Sequence, residues 1–379
     1  MENYTARQRL LAAMRREQPD RVPIHVRGVP AWNQKWVDSK HESYTPLIQA
    51  VKEKCDMVAS WGVNCGRFIT NAEPPAEPGI IDLPEWRLHE TTLHTPKGPL
   101  RSVTQVSKRG HPSLIQEFWV KTEEDLKRFL SIPYLPPEPD ARSFFEFDQR
   151  IGESAIVMTG LLDPIGYVHD LIGSELLAIW SIENRKVIAQ LVDLFTERLY
   201  NFVQHLLESG VNSVYAILGE EYAGPPLMSP ADFRAFVTVP EKQLVQLIHR
   251  YGCLVHIHCH GPMDAILEEF VEIGADCLHP IEAPPMGDMP LAEAKRRIGK
   301  QVCLEGNIQV GDLYSRRPKE IRAIVKRAIE DAAAGGGFIL CPSASPYTPQ
   351  LEPLVVENYL AMIEAGREYG RYQTLASRD

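Results

Sequence analysis

Val255-His256-Ile257-His258-Cys259-His260-Gly261 is a short apolar run that breaks into a cluster of imidazoles and a thiol. The same design recurs twice downstream. Leu278-His279-Pro280-Ile281-Glu282 ends an apolar run in a carboxylate, and Gly337-Phe338-Ile339-Leu340-Cys341-Pro342 ends one in a thiol. Three apolar strands that terminate in metal-ligand residue types point to one polar site at one end of a sheet.

The neighbourhood of these runs is rhythmic. Strand-like stretches at 155–159, 213–218, 253–258, 276–281, 302–305 and 338–341 alternate with helical patterns near 171–180 and at 184–208, 231–251, 264–273, 291–298, 319–334 and 355–369. The clearest helix, 184–208, carries Ile188, Leu191, Phe195, Leu199, Phe202 and Leu206 at helical spacing, and Gly210 stops it. Upstream, residues 5–17 read as an amphipathic helix opened by Thr5. Arg21-Val22-Pro23-Ile24-His25-Val26 reads as a first strand and Asp56-Met57-Val58-Ala59-Ser60-Trp61 as a second. Eight strands alternating with helices predict an α/β fold, a (β/α)8 TIM barrel. An open doubly wound sheet is the competing fold, and no glycine-rich phosphate loop follows the first strand to support it.

Residues 66–140 break the rhythm. Pro74, Pro75, Pro78, Pro84, Pro96, Pro99 and Pro112 punctuate alternating stretches at 86–93 and 102–106, which read as hairpin strands. A capped helix is expected from Thr122-Glu123-Glu124-Asp125, followed by a proline-rich connector at 133–139. The chain thus reads as one barrel domain, 1–379, with 66–140 inserted between strands two and three and covering one face.

Composition narrows the function. The net charge of −10 argues against nucleic acid or an anionic membrane surface as the main partner. No run approaches the length needed to span a bilayer, and the N-terminus lacks the apolar core of a secretory signal. The seven cysteines are odd in number and scattered through apolar runs, as in a reducing compartment, so the expected location is cytoplasmic.

In a parallel barrel, chemistry gathers at the C-terminal strand ends. There the sequence puts Arg27, Gly219-Glu220-Glu221-Tyr222, His256, His258, Cys259 and His260, then His279 and Glu282, Glu305-Gly306-Asn307, and the stretch from Cys341 to Tyr347. Residues i and i+2 of a strand share a side, so His258 and His260 can face one centre. His256 lies deeper and reads as a satisfied interior histidine, while Cys259 has the opposite parity. His258, His260 and Glu282, with Cys341 as a further ligand, make a zinc-type donor set. Glu220 or Glu221 can supply another ligand or a general base, and Asn307 can hydrogen-bond a substrate. Each has a plainer alternative: a loop or capping acid for the glutamates, a buried strand thiol for Cys341, a turn residue for Asn307.

The chain resembles the uroporphyrinogen decarboxylase superfamily. The resemblance runs from Thr5-Ala6-Arg7-Gln8-Arg9 and Pro19-Asp20-Arg21-Val22-Pro23 through Lys121-Thr122-Glu123-Glu124-Asp125-Leu126 and Ser229-Pro230-Ala231-Asp232-Phe233. It continues in His258-x-His260-Gly261, Gly274-Ala275-Asp276, Gly336-Gly337-Phe338-Ile339-Leu340 and Glu357-Asn358-Tyr359. It implies a (β/α)8 barrel and one of two chemistries. True decarboxylases grip porphyrin carboxylates with an Arg-Gln-Ala-Gly-Arg loop, where this chain has His25-Val26-Arg27-Gly28-Val29-Pro30. The other branch holds zinc methyltransferases that exchange methyl groups with corrinoid proteins or thiols, marked by His-x-Cys-Gly after strand five and a later Cys.

Here His260 replaces that first cysteine, and the later one falls near Ala344, leaving only a displaced Cys341. Cobalamin-independent methionine synthase, a relative in chemistry, places a zinc-binding Glu at the spacing of His258 to Glu282. Two imidazoles and a carboxylate make a harder, more Lewis-acidic metal than thiolates do. The resemblance therefore implies zinc-dependent methyl transfer from a small, methoxylated donor to a corrinoid protein that carries the cobalamin, and a homodimer. The alternatives are a metal-independent decarboxylase, with Arg27 and Arg67 lining the pocket, and a non-catalytic metabolite- or corrinoid-binding barrel.

Overall fold

A computed structural model describes residues 4–372. Its centre is a seven-stranded, all-parallel sheet built from β1 (Met57–Trp61), β6 (Ala155–Leu162), β7 (Val214–Leu218), β8 (Val255–His258), β9 (Cys277–His279), β10 (Cys303–Ile308) and β11 (Phe338–Pro342), in that spatial order. Between β1 and β6 in the chain lie β2 (Ala76–Asp82), β3 (Trp86–Thr95), β4 (Gly98–Ser107) and β5 (Leu114–Glu117), a separate antiparallel sheet. The prolines and alternation of the sequence thus resolve into the expected hairpins.

Seven strands form where eight were expected. Residues 21–26 are extended without becoming a regular strand: Ile24 makes one isolated parallel bridge to Leu340. The cause is Pro23, which has no N–H to extend a ladder. The segment nonetheless touches both edges of the sheet. His25 N donates to Leu340 O at 2.9 Å on the β11 side, and Asp56 N donates to Ile24 O at 2.7 Å beside β1. Burial reinforces these bonds. Asp56, 0% exposed on its side chain, accepts from Arg9 Nη1 at 2.6 Å and Arg21 Nη1 at 2.7 Å, and its Oδ2 also takes the Ile24 N–H.

Helices pack around the sheet for the reason the periodicity gave. Helix Arg185–Glu208 buries Ile188, Leu191, Phe195, Leu199, Phe202 and Leu206. Fully burying a side chain such as Phe195 stabilises by roughly 1.5–3 kcal/mol. Two helices differ from expectation. The one read near 171–180 begins earlier and spans Pro164–Glu183, capped by Asp163. The one read at 231–251 is interrupted by a π-helical turn, Arg234–Thr238, before Val239–Arg250. Pro240 cannot donate to the carbonyl four residues back, so the turn ahead of it widens.

Parallel register sets the site. Leu218 pairs with His258, and His258 with His279, so the C-terminal ends of β7, β8 and β9 stand level. No helix among the described residues is long and apolar enough to cross a membrane.

Candidate active site

A cavity of about 310 Å³ opens at these strand ends, lined among others by His25, Arg27, Ser60, Met158, His256 and His258. Its walls come from β1, β6, β7 and β8 and from residues 25–30, so strands far apart in sequence share one chamber.

The hydrogen bonds assign the tautomers. Pro342 O can only accept, so His279, 2.9 Å away through Nε2, carries its proton there. Burial, first of all, holds the His279 imidazole well below its ordinary value, so it is neutral and its Nδ1 is an acceptor. His258 Nδ1 lies 2.8 Å from that atom and must be the donor. Burial, then Arg27 and His279, depress the His258 imidazole in the same way. His258 is therefore a neutral ring with its Nε2 lone pair unclaimed at the cavity wall.

The next imidazole is oriented from below by a carboxylate. His260 Nδ1 sits 3.1 Å from Glu282 Oε2, which also accepts the Gly261 N–H at 3.0 Å. Burial opposes ionisation of Glu282, but these two bonds outweigh it and hold the carboxyl below its ordinary range. The His258 and His260 rings meet edge to face, 4.7 Å between centroids.

Deeper along the sheet, Glu305 joins two more imidazoles, with His25 Nδ1 at 2.5 Å from Oε1 and His256 Nε2 at 2.7 Å from Oε2. Burial opposes its ionisation, yet His25 and His256 keep Glu305 well below the usual carboxylate range. An ionised carboxylate only accepts, so both rings donate to it. Cys341 lies in this group, its Sγ 3.8 Å from His25 Nδ1. Burial and Glu305 push its thiol far up.

The residues singled out from sequence thus separate. His258, His260 and Glu282 come together, while Cys341 lies with His25 and Glu305. Glu221 is half-buried beside His260, its carboxyl raised chiefly by burial. Glu220 is 0% exposed and faces Asp163 and Glu241. Asn307 is half-buried at the end of β10, in register with Cys341. Sequence reading passed over the Glu305 clamp and the role of His279. The available signal for Glu305 was a carboxylate set inside the apolar run of β10.

The upper cluster carries donor types that suit zinc, two imidazoles and an ionised carboxylate. Among the described residues, the imidazole groups whose three donor atoms all lie within 4.8 Å of one another are instead His25, Glu305 and Cys341 and, around the same carboxylate, His256, Cys277 and Glu305. His258 donates its single N–H, on Nδ1, to His279, as metal-bound histidines do with the ring nitrogen that does not face the metal.

Comparison with known proteins adds the family. The model of the uroporphyrinogen decarboxylase (URO-D) family matches residues 148–369. A methylcobamide:CoM methyltransferase MtaA of Methanosarcina barkeri is 28% identical over 224 residues, 58% of this chain and 60% of that protein. A uroporphyrinogen decarboxylase of Streptomyces avermitilis is 30% identical over 147 residues, 39% of this chain and 38% of that protein. The chain thus spans about 60% or less of the length of the curated relatives it matches. Among solved structures, a methyltransferase from Methanosarcina mazei superposes with a TM-score of 0.62 at 20% identity, covering 97% of this chain and 99% of that one. A B12-independent methionine synthase from Shewanella sp. W3-18-1 gives 0.50 at 12% identity, covering 92% and 97%. At these identities both comparisons speak to fold alone.

Proposed function

The chain belongs to the uroporphyrinogen decarboxylase (URO-D) family, and within it we propose a zinc-dependent methyltransferase that moves a methyl group from a small methoxylated donor to a separate corrinoid protein. The observation that carries this reading is the His258–His279–Pro342 relay, which leaves a neutral imidazole nitrogen free at the cavity wall. The likeness of residues in the matched region to methylcobamide:CoM methyltransferases supports methyl chemistry and a corrinoid partner. In this reading residues 22–26 stand in the eighth place of a (β/α)8-type barrel, with 66–140 as an insertion of a single domain.

His258 and His260 would hold the zinc with Glu282 as carboxylate ligand or ring-orienting partner. Zinc bound there would supply Lewis acidity toward the donor's ether oxygen. The chain's own groups do the rest. Arg27 stands on the cavity wall in no ion pair among the described residues and attracts an anionic group of the donor. Glu221, its carboxyl raised by burial, keeps a proton to higher pH than an exposed glutamate and delivers it to the demethylated oxygen.

The test is elemental analysis of fresh protein beside His258→Ala and Glu282→Ala, followed by methyl-transfer assays with methoxylated acids and a reduced corrinoid protein. Zinc near one per chain that falls in both variants, with demethylation by the wild type, is the expected result. Failure to bind zinc when it is supplied overturns the reading. It would shift weight to a metal-independent decarboxylase, the second reading, which Arg27 on the cavity wall also favours.

A further inference from the structure

Three carboxyl groups meet away from the imidazoles. Asp163 follows β6 and caps helix Pro164–Glu183; Glu220 follows Gly219 just past β7; Glu241 lies on helix Val239–Arg250. All three are 0% exposed. One oxygen from each lies within 4.8 Å of the others.

Their chemistry is unsatisfied. Asp163 Oδ2, both oxygens of Glu220 and both oxygens of Glu241 are buried and have no hydrogen-bond partner. Buried polar oxygens are nearly always paired, so five orphans at one point need an explanation. Protons shared between the carboxyls are the competing answer, and they leave some of the five oxygens without a donor because each O–H serves one acceptor. A cation held by one oxygen of each carboxyl compensates all three acids at once. Oxygens held at 2.3–2.6 Å around one ion are separated by no more than about 5 Å, the span seen here.

We propose that Asp163, Glu220 and Glu241 form a binding site for a hard divalent cation of the Ca²⁺ or Mg²⁺ class, separate from the imidazole cluster. An all-oxygen set selects such ions, whereas the imidazole set selects zinc. The site ties the end of β6, the loop after β7 and the helix beyond the π turn to one point. Glu220 precedes Glu221, so the ion fixes the loop that sets Glu221 beside His260. Burial and the neighbouring acids push all three carboxyls well above their ordinary range, so the cluster calls for positive charge, as protons or as a cation.

The proposal is independent of the methyltransferase reading, and its test uses no activity assay. The full chain is stripped with a chelator and titrated with Ca²⁺, Mg²⁺ and, as a spectroscopic probe, Mn²⁺. Binding is followed by calorimetry and electron paramagnetic resonance in wild type, Glu241→Gln, Glu220→Gln and His258→Ala. One ion per chain in wild type and His258→Ala, with affinity weakened about tenfold or more in the glutamine variants, is expected. No binding of any of the three ions to wild type, or equal binding in Glu241→Gln, overturns it.

A second arm covers variants that fail to fold. Raised carboxyls stabilise the fold at low pH, and that contribution is lost as pH rises through their folded values. For the wild type, added Ca²⁺ or Mg²⁺ should remove this alkaline loss in thermal unfolding. A loss that persists unchanged with either ion means that protons hold the cluster, and the proposal fails.

Discussion

His258 donates its Nδ1–H to Nδ1 of His279 across 2.8 Å, and His279 in turn donates its Nε2–H to the carbonyl of Pro342. The direction is forced by the one group that cannot reverse, the carbonyl. A backbone atom of β11 thereby decides which nitrogen of a β8 side chain is free at the cavity.

Removing the middle of that relay should loosen the metal without touching a ligand. His279→Ala leaves His258 free to rotate and to change tautomer. Loss of such a supporting bond costs about 10–100-fold in metal affinity. Competition with a zinc chelator measures it, and an affinity equal to wild type would remove His279 from the argument.

The same pair makes stability fall in acid. His258 and His279 are both held below the ordinary imidazole value of 6.5, by burial first. Unfolding frees them to take up protons, so their penalty is absent above about pH 6.5 and grows as pH falls below it. Each contributes a slope approaching 1.4 kcal/mol per pH unit, as an order of magnitude. Urea unfolding at pH 7.5, 6.5 and 5.5 should show a shallower acid loss in His279→Gln than in wild type. Parallel curves would contradict the assignment.

Much of this site was legible because it is written in strand ends. The alternation of Val255, Ile257 and the histidines marked β8, and the pairing of His260 with Glu282 followed from neighbouring strands. What stayed hidden depends on closure of the sheet. Glu305 finds His25 from 280 positions away and His256 from 49. No local pattern announces such partners. Asp163, Glu220 and Glu241 are likewise an end cap, a loop acid and a helix acid until the fold joins them. Pro23 misled in the opposite sense: the apolar run around it predicted a strand, and its missing N–H limited the segment to one bridge.

Asp56 should be a stability residue. It pairs with both Arg9 and Arg21 and accepts the Ile24 N–H, all buried. Asp56→Ala leaves the Arg21 guanidinium without its carboxylate and Arg9 with Asp20 alone, and should destabilise by about 3–5 kcal/mol. Denaturant unfolding measures this, and a loss under about 1 kcal/mol, the worth of a surface pair, would mean the network is solvated.

Arg27 separates binding from chemistry. It lines the cavity with His258 and is in no ion pair with a carboxylate among the described residues. Arg27→Ala should raise KM for an anionic methyl donor by about 10–100-fold, the worth of one charge-assisted hydrogen bond, while kcat changes little. A neutral donor should be indifferent to the change. Equal losses for both donors would place Arg27 outside substrate recognition.

Cys341 offers the sharpest division between the two imidazole clusters. The thiol is 0% exposed and 3.8 Å from His25 Nδ1, in the group built on Glu305 rather than the one built on Glu282. Burial and the ionised Glu305 raise it far above a normal thiol, so it has no tendency to become the thiolate a zinc ion needs. Zinc held by His258 and His260 should therefore survive Cys341→Ser nearly unchanged. The native thiol should also resist iodoacetamide until the chain is unfolded. If Cys341→Ser instead releases the metal while His258→Ala does not, the metal belongs to the deeper cluster of His25, Glu305 and Cys341. The histidines at the end of β8 would then be left to position substrate.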